Sequence, residues 1–396
     1  MEHEHIIEGN IVTPTGIIEH GVVVVRGGKI VDIDQLPRSL KARVVEDEAV
    51  EWVLPGMIDT HSDAIETEMQ PRPGSLFPIE VSFHELERKL AAQGITTIYH
   101  ALSMHADQSS SWARRNDTVK RLILDIRKLS RQHSLIRHRL HLRFEITNLT
   151  AVPYVEELLG SESIEQVSFM DHSPGQGQFR SLEHQKKLIM SKLALSEEQA
   201  DDVLAKRMGQ PKVNIEELAR LAAVAKNHGI PLASHDDDSI EKLDLMRNWN
   251  VAISEFPVEL GVAIEAKQRG LAVVMGAPNV VLGKSHSNNV SALEAISHGA
   301  VDILCSDYYP PSMLQAVFCL YRSGISMVDA VNLVSLNSAK ALRINDSLGS
   351  IEIGKTADLL KIREYRQTPA IQEVYVEGNL VCQMSYRKLA MGTIGK

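Results

Sequence analysis

Cysteine is scarce in this chain. Its 396 residues hold three, Cys305, Cys319 and Cys382, an odd number at wide spacing with no Cys-x-x-Cys. That argues against a disulfide framework and fits a reducing compartment, the cytoplasm. Positive charge is not in excess either: 42 Lys and Arg face 51 Asp and Glu, a formal net charge of -9. Nucleic-acid and membrane-surface partners want a basic face, so neither is expected. An anionic small-molecule substrate stays compatible, because a local metal site can hold one within an acidic protein. No apolar run approaches the roughly 18 residues that span a bilayer. The start, Met1-Glu2-His3-Glu4-His5, lacks a positive segment followed by an apolar one, so no leader is expected. There is no repeat at a period of about 20–50 residues and no low-complexity tract.

What is present is ample material for a core, with 44% hydrophobic residues. The first fifty residues read as short β-rich runs broken by Pro14-Thr15-Gly16 and Gly27-Gly28. The end of the chain, from Gly349 on, has the same Gly-punctuated alternation. Neither end could bury one face alone, so residues 1–53 and 348–396 are expected to pair as one discontinuous β-sandwich. Between them, strand-like runs at 57–61, 95–101, 141–146, 167–172, 231–235, 251–256, 272–276 and 303–307 alternate with helical segments. Eight such alternations predict an α/β fold, a (β/α)8 TIM barrel over residues 54–347. The stretch 175–211 is long for one connection and should carry extra helices over the barrel mouth.

The run Leu54-Pro55-Gly56-Met57-Ile58-Asp59-Thr60-His61-Ser62-Asp63 ends in a His and an Asp two residues apart. On an extended chain that spacing puts both side chains on one face, where they can grip a divalent ion. Active sites of such barrels lie at the C-terminal ends of the strands. Those ends supply further ligand types: Glu145, His172, His235 and Asp307. The set divides into two ions. His61, Asp63 and Asp307 would hold one, His172 and His235 the other, with Glu145 bridging. Metal ions of this kind lower the pKa of a shared water, and Asp307 beside it is the expected general base. Ligation by His and carboxylate suits zinc, with manganese or iron as alternatives, better than calcium.

Three other features read as structural. Asp236-Asp237-Asp238 lacks the rest of an EF-hand and reads as a helix cap. His133, His138 and His141, among Arg137, Arg139 and Arg143, read as a solvated helix-to-strand junction. His3 and His5 read as a frayed end.

The Leu-Pro-Gly-Met-Ile-Asp-Thr-His run, Asp307, the Leu336-Asn337-Ser338-Ala339-Lys340-Ala341-Leu342 helix and the Gly-x-Ile-x-x-Gly-Lys-x-Ala-Asp-Leu-Leu hairpin resemble the amidohydrolase superfamily. His61-Ser62-Asp63-x-x-Glu66, Arg143-Phe144-Glu145, Met170-Asp171-His172-Ser173-Pro174-Gly175-Gln176-Gly177-Gln178-Phe179 and Gly276-Ala277-Pro278-Asn279 resemble its phosphonate-metabolism branch. The order of these motifs is the specific signal. The superfamily usually takes its bridging ligand from strand four and two later histidines from strands five and six. Here Glu145, His172 and His235 fall on runs three, four and five. The resemblance implies a hydrolase of the carbon–phosphorus lyase pathway, a diphosphatase converting a ribosyl methylphosphonate triphosphate to the 5-phosphate and diphosphate. Lys284 and His286 in the Gly283–Ser287 loop, Asn279, Arg72 and Arg180 are candidate phosphate contacts. Pro174–Gly177 reads as a lid or a plain turn. Cyclic-amide or N-acyl hydrolysis by the same centre, and a non-catalytic barrel scaffold, are the alternatives. The sequence leaves open whether the chain forms a homo-oligomer.

Overall fold

Both ends of the chain meet in one sheet, and the sheet leads directly into a barrel. A computed structural model describes residues 4–35, 50–105, 112–179, 181–284, 289–365 and 367–386. Its first strands are β1 (Glu4–Val12), β2 (Ile17–Arg26), β3 (Lys29–Gln35) and β4 (Val50–Pro55). One residue later the barrel begins with β5 (Met57–Ser62), β6 (Ile95–Met104), β7 (Arg137–Glu145) and β8 (Gln166–Met170). It continues with β9 (Leu232–His235), β10 (Ile253–Glu255), β11 (Ala272–Gly276) and β12 (Ile303–Cys305). The last strands, β13 (Leu359–Tyr365), β14 (Thr368–Val376) and β15 (Asn379–Gln383), return to the first sheet.

The eight central strands pair in sequence order, all parallel, from β5 to β12. A parallel bridge between Ser62 and Asp307 brings the last strand back to the first. Strands β5, β6, β8, β9, β10 and β12 are buried along their whole length, as expected of strands covered on both faces. Ile58, Tyr99, Ala233, Ile253, Val274 and Ile303 form one apolar cluster with Leu342 and Leu348. It packs the barrel interior, so the interior is a core and not a pore. Helices surround the barrel because their apolar residues recur at helical spacing. In the helix Asn116–Ser130, Val119, Leu122, Ile123, Ile126 and Leu129 are buried. Each such burial is worth about 1.5–3 kcal/mol.

Among the described residues the terminal sheet has seven strands, in the order β15-β14-β13-β4-β1-β2-β3. β4 is its hinge, parallel to β1 and antiparallel to β13, with Leu360 opposite Leu54. Alternation gives β4 two jobs. Val53 joins Ile7, Ile11, Val23, Val25 and Leu359 in the sheet's own cluster. Trp52 and Leu54, with Leu360 and Ile362, join the main core of the barrel. From the barrel floor, Arg137 on β7 donates to Asp358 and Glu377 of the sheet. Gly349, in the turn that leads back to the sheet, has φ +88°. A Cβ there would lie 2.5 Å from the Cβ of Ala339, so only glycine fits.

The long stretch after β8 carries the helices Leu182–Leu193 and Glu197–Met208. Three local readings are corrected. His138, His141 and Arg143 are buried on β7, not solvated, because that strand lies inside the fold. Ser239, not an aspartate, caps the helix Ile240–Asn248, its hydroxyl accepting from the Lys242 amide. His5 belongs to β1 and stacks on Tyr375, with 5.7 Å between ring centroids; His3 lies outside the described residues. Among the described residues, no helix is long and apolar enough to cross a membrane.

Candidate metal centre

The rim at the C-terminal ends of the strands is held by the backbone. The Asp307 amide donates to the His61 carbonyl at 2.9 Å, and the Asp63 amide donates to the Asp307 carbonyl at 2.8 Å. Three rim residues just past strand ends, Asp236, Phe256 and Asp307, have φ of +53°, +55° and +55°. Left-handed backbone at non-glycine residues is costly and re-aims the chain at each position.

Glu255, at the end of β10, organises two of the histidines. Its Oε1 lies 3.3 Å from Nδ1 of His61 and its Oε2 lies 3.3 Å from Nδ1 of His235. Gln166 donates to Oε1 at 3.0 Å. The two imidazoles are close to parallel, 15° apart, with centroids 5.8 Å apart. On the other side of His235, its Nε2 is 3.1 Å from Nη2 of Arg143. A guanidinium only donates, so His235 accepts at Nε2 and carries its proton at Nδ1, toward Glu255. Glu255 therefore acts as an orienting carboxylate behind the histidines. The Nε2 of His61 is buried with no hydrogen-bond partner among the described residues.

The second part of the rim centres on His172. Its Nδ1 is 2.8 Å from Glu145, and its Nε2 is 3.7 Å from Asp236. Its ring is 5.5 Å from that of His235 and stacks 5.8 Å from that of His105. Among the described residues three groups of potential ligands have their atoms within 4.8 Å: His61–His235–Glu255, His105–Glu145–His172 and His172–His235–Asp236. Asp63 and Asp307 are in none of them. Asp63 turns instead to Arg143, whose Nη1 is 3.1 and 3.4 Å from its two oxygens.

Burial sets the charge states. It pulls His61 down to about 3, helped by the Arg143 charge, and holds His235 well below its ordinary value. Both are neutral near pH 7, as a nitrogen ligand must be. Burial, with Asp63 adding like charge, pushes Asp307 up to about 7 against the pull of Arg143. The donor set of imidazole nitrogens and carboxylates, with an orphaned Nε2 on His61, fits a divalent ion.

The sequence places Glu145, His172 and His235 on strands three, four and five of the barrel or just beyond them, and the structure does the same. The candidate phosphate contacts scatter. Asn279 and Asp307 flank Gly276: the Asn279 amide nitrogen and the Asp307 Cβ each lie 3.9 Å from where a Gly276 Cβ would sit. Lys284 is exposed just past the helix Ala277–Leu282. Arg72 is exposed and donates to Ser75 in its own turn. His286 and Arg180 lie outside the described residues. In the Pro174–Gly177 segment the Gly177 amide donates to Asp238 at 2.6 Å, pinning it to the loop after β9. Tyr308 and Tyr309 are both exposed beside Asp307. Sequence reasoning missed Glu255, Arg143, His105 and Asp236. The strand-end rule that found His235 would have found Glu255 had it been applied to the run 251–256.

A parallel eight-stranded barrel with histidines and carboxylates gathered on one rim defines a class. Residues 52–382 match the amidohydrolase family, and the chain belongs to it. It is 35% identical over 340 residues to the alpha-D-ribose 1-methylphosphonate 5-triphosphate diphosphatase of Escherichia coli strain K12, covering 83% of this chain and 88% of that one. This relative matches the phosphonate-metabolism resemblance carried by the motifs. An imidazolonepropionase of Shewanella oneidensis is 25% identical over 410 residues, covering 89% of this chain and 88% of its own. Among solved structures, an Xaa-Pro dipeptidase with bound methionine shares the fold at a TM-score of 0.61 and 15% identity, covering 96% of this chain and 99% of that one. A guanine deaminase of C. acetobutylicum does so at 0.58 and 15%, covering 96% and 100%.

Proposed function

We propose that the chain is a metal-dependent diphosphatase of phosphonate catabolism. It would hydrolyse α-D-ribose 1-methylphosphonate 5-triphosphate to the 5-phosphate and diphosphate. The observation that carries this reading is the gathering of His61, His172, His235 and Glu145 at one mouth around a buried guanidinium, Arg143. The name of the E. coli relative supports the substrate.

One or two divalent ions, zinc favoured over manganese or iron, would be held by residues drawn from His61, Asp63, Glu145, His172, His235 and Asp307. Such an ion lowers the pKa of a water and offsets charge on phosphoryl oxygens. The chain's own residues do the rest. Asp307 takes a proton from the water that attacks the α-phosphorus. The bond from that phosphorus to the oxygen bridging to the β-phosphorus breaks, and diphosphate leaves with the electron pair. Arg143 presents fixed positive charge in a largely dry place. Lys284, Asn279 and Arg72, with His286 and Arg180, are assigned to the outer phosphates. The three cysteines are unpaired, which supports a cytoplasmic location.

A second reading, cyclic-amide hydrolysis at the same centre, is favoured by the imidazolonepropionase relative. The test offers the purified, metal-loaded protein the ribosyl phosphonate triphosphate, ATP and cyclic amides. Diphosphate release from the first supports the proposal. Ring opening without diphosphate release moves the assignment to the second reading, and a protein that binds no metal and turns over nothing is a scaffold.

A further inference from the structure

Two of the six residues proposed to hold metal, Asp63 and His235, already face a cation that the chain itself supplies. We infer that the centre holds one divalent ion, around His172, and that the Arg143 guanidinium stands where a second would sit, with Asp63 as its counter-ion and not a metal ligand. The inference rests on the metal-dependent reading given above.

Arg143 leaves β7 on the same face as His141 and Glu145, two residues to either side, and that face points into the barrel. Its side chain is only 8% exposed. Nη1 lies on Asp63 and Nη2 on the Nε2 of His235, 3.1 Å from each. A guanidinium keeps its proton at neutral pH and has no lone pair to give a metal. A second guanidinium, that of Arg114, lies 3.0 Å from Glu66 and 3.7 Å from Asp63. A divalent ion bound to Asp63 would have to enter between two positive groups.

His172 has a carboxylate, and not a guanidinium, facing each ring nitrogen. Its imidazole meets the carboxylates of Glu145 and Asp236 and the rings of His105, Phe179 and His235. The gathered group His105–Glu145–His172 contains it without drawing on His235, whose Nε2 already accepts from Arg143, and none of the gathered groups contains Asp63. The ring stacked on it, His105, has an Nε2 that is buried with no hydrogen-bond partner among the described residues. That nitrogen points to a cation near His172.

A triphosphate would then meet one exchangeable cation and one permanent one. A chelator could remove the first and never the second.

The test counts ions. Wild type, Asp63→Asn and His172→Ala are stripped, saturated with Mn2+, desalted and analysed for metal per chain, with circular dichroism to confirm folding. The expected counts are one, one and none, and the paramagnetic resonance of the wild type should be that of isolated Mn2+. Two ions per chain in the wild type, or a spin-coupled pair, overturns the inference on wild-type protein alone. Loss of the ion in folded Asp63→Asn also overturns it. In those outcomes diphosphate release from the ribosyl phosphonate triphosphate leaves the proposed function standing. A wild type with no ion and no turnover overturns both.

Discussion

One oxygen of Glu255 lies 3.3 Å from the Nδ1 of His61, and that contact decides which imidazole nitrogen is left for the barrel mouth. The other oxygen does the same for His235. An amide at this position would offer a donor to one of the two Nδ1 atoms and reverse its tautomer. Glu255→Gln should fold normally and lose activity by about 10–100-fold, the usual cost of removing a carboxylate behind a metal-site histidine. Steady-state rates on folded variant protein check this. Unchanged turnover would reduce Glu255 to a packing residue.

Asp307 is placed as the proton acceptor, and its backbone closes the barrel through His61 and Asp63. Asp307→Asn keeps both backbone bonds and loses the base. Turnover should fall by about 10²–10⁴-fold with the melting temperature nearly unchanged. A rate like that of the wild type would take the role away from Asp307.

Stability should fall as pH drops below about 6.5, in part through a histidine pair outside the centre. The Nε2 of His100 is 2.9 Å from Nδ1 of His138, whose Nε2 is 3.4 Å from Glu87. Glu87 in turn meets His84 at 2.9 Å and accepts from the Leu135 amide. With His138 donating to Glu87, its Nδ1 accepts from His100, and the Nδ1 of His100 is left buried with no hydrogen-bond partner among the described residues. Burial lowers both histidines, His100 well below its ordinary value. The unfolded chain therefore binds protons near pH 6.5 that the folded chain refuses. Each such histidine removes up to about 1.4 kcal/mol per pH unit until its folded pKa is reached. Melting temperatures from pH 7.5 to 5 measure the slope, which should be shallower in His100→Gln. Equal slopes would show that this pair does not contribute.

Gly349→Ala should destabilise the fold by about 2–4 kcal/mol, combining left-handed strain with overpacking against Ala339. Denaturant titration reads this directly. A loss below about 0.5 kcal/mol would mean the turn relaxes freely.

Lys284→Ala should raise KM for the triphosphate several-fold and leave kcat in place, because an exposed cation assigned to the outer phosphates contributes to binding alone. An unmoved KM would send phosphate recognition to other residues.

The barrel was legible in the sequence because most of its strands are apolar runs with a ligand or turn residue at the end. The mouth was partly legible for the same reason. His61, His172, His235 and Asp307 sit at or just beyond strand ends, where a chain direction and a fold class are enough to place them. Arg143 was not legible. The run Arg139-Leu140-His141-Leu142-Arg143-Phe144-Glu145 alternates polar and apolar, which on an open sheet means that the polar side faces water. Inside a barrel that polar side faces the interior, and the apolar side (Leu140, Leu142 and Phe144) meets the helices. Alternation reports two faces and not which one is wet. Asp237 was misread because the run does not show which of its members is buried. A run of three aspartates before a helix reads as a cap, yet this one accepts from the buried hydroxyls of Ser234 and Ser254, both at 2.5 Å.

The pairing of β4 with β13 has a consequence during synthesis. Leu54 and its partner Leu360 are separated by most of the chain. When β4 leaves the ribosome, its neighbour on that side has not yet been made. The platform on which the barrel rests is thus finished after the barrel strands themselves. Until then the backbone edge of β4 on that side waits unpaired, and chaperone capture or premature self-association of nascent chains should concentrate on that edge.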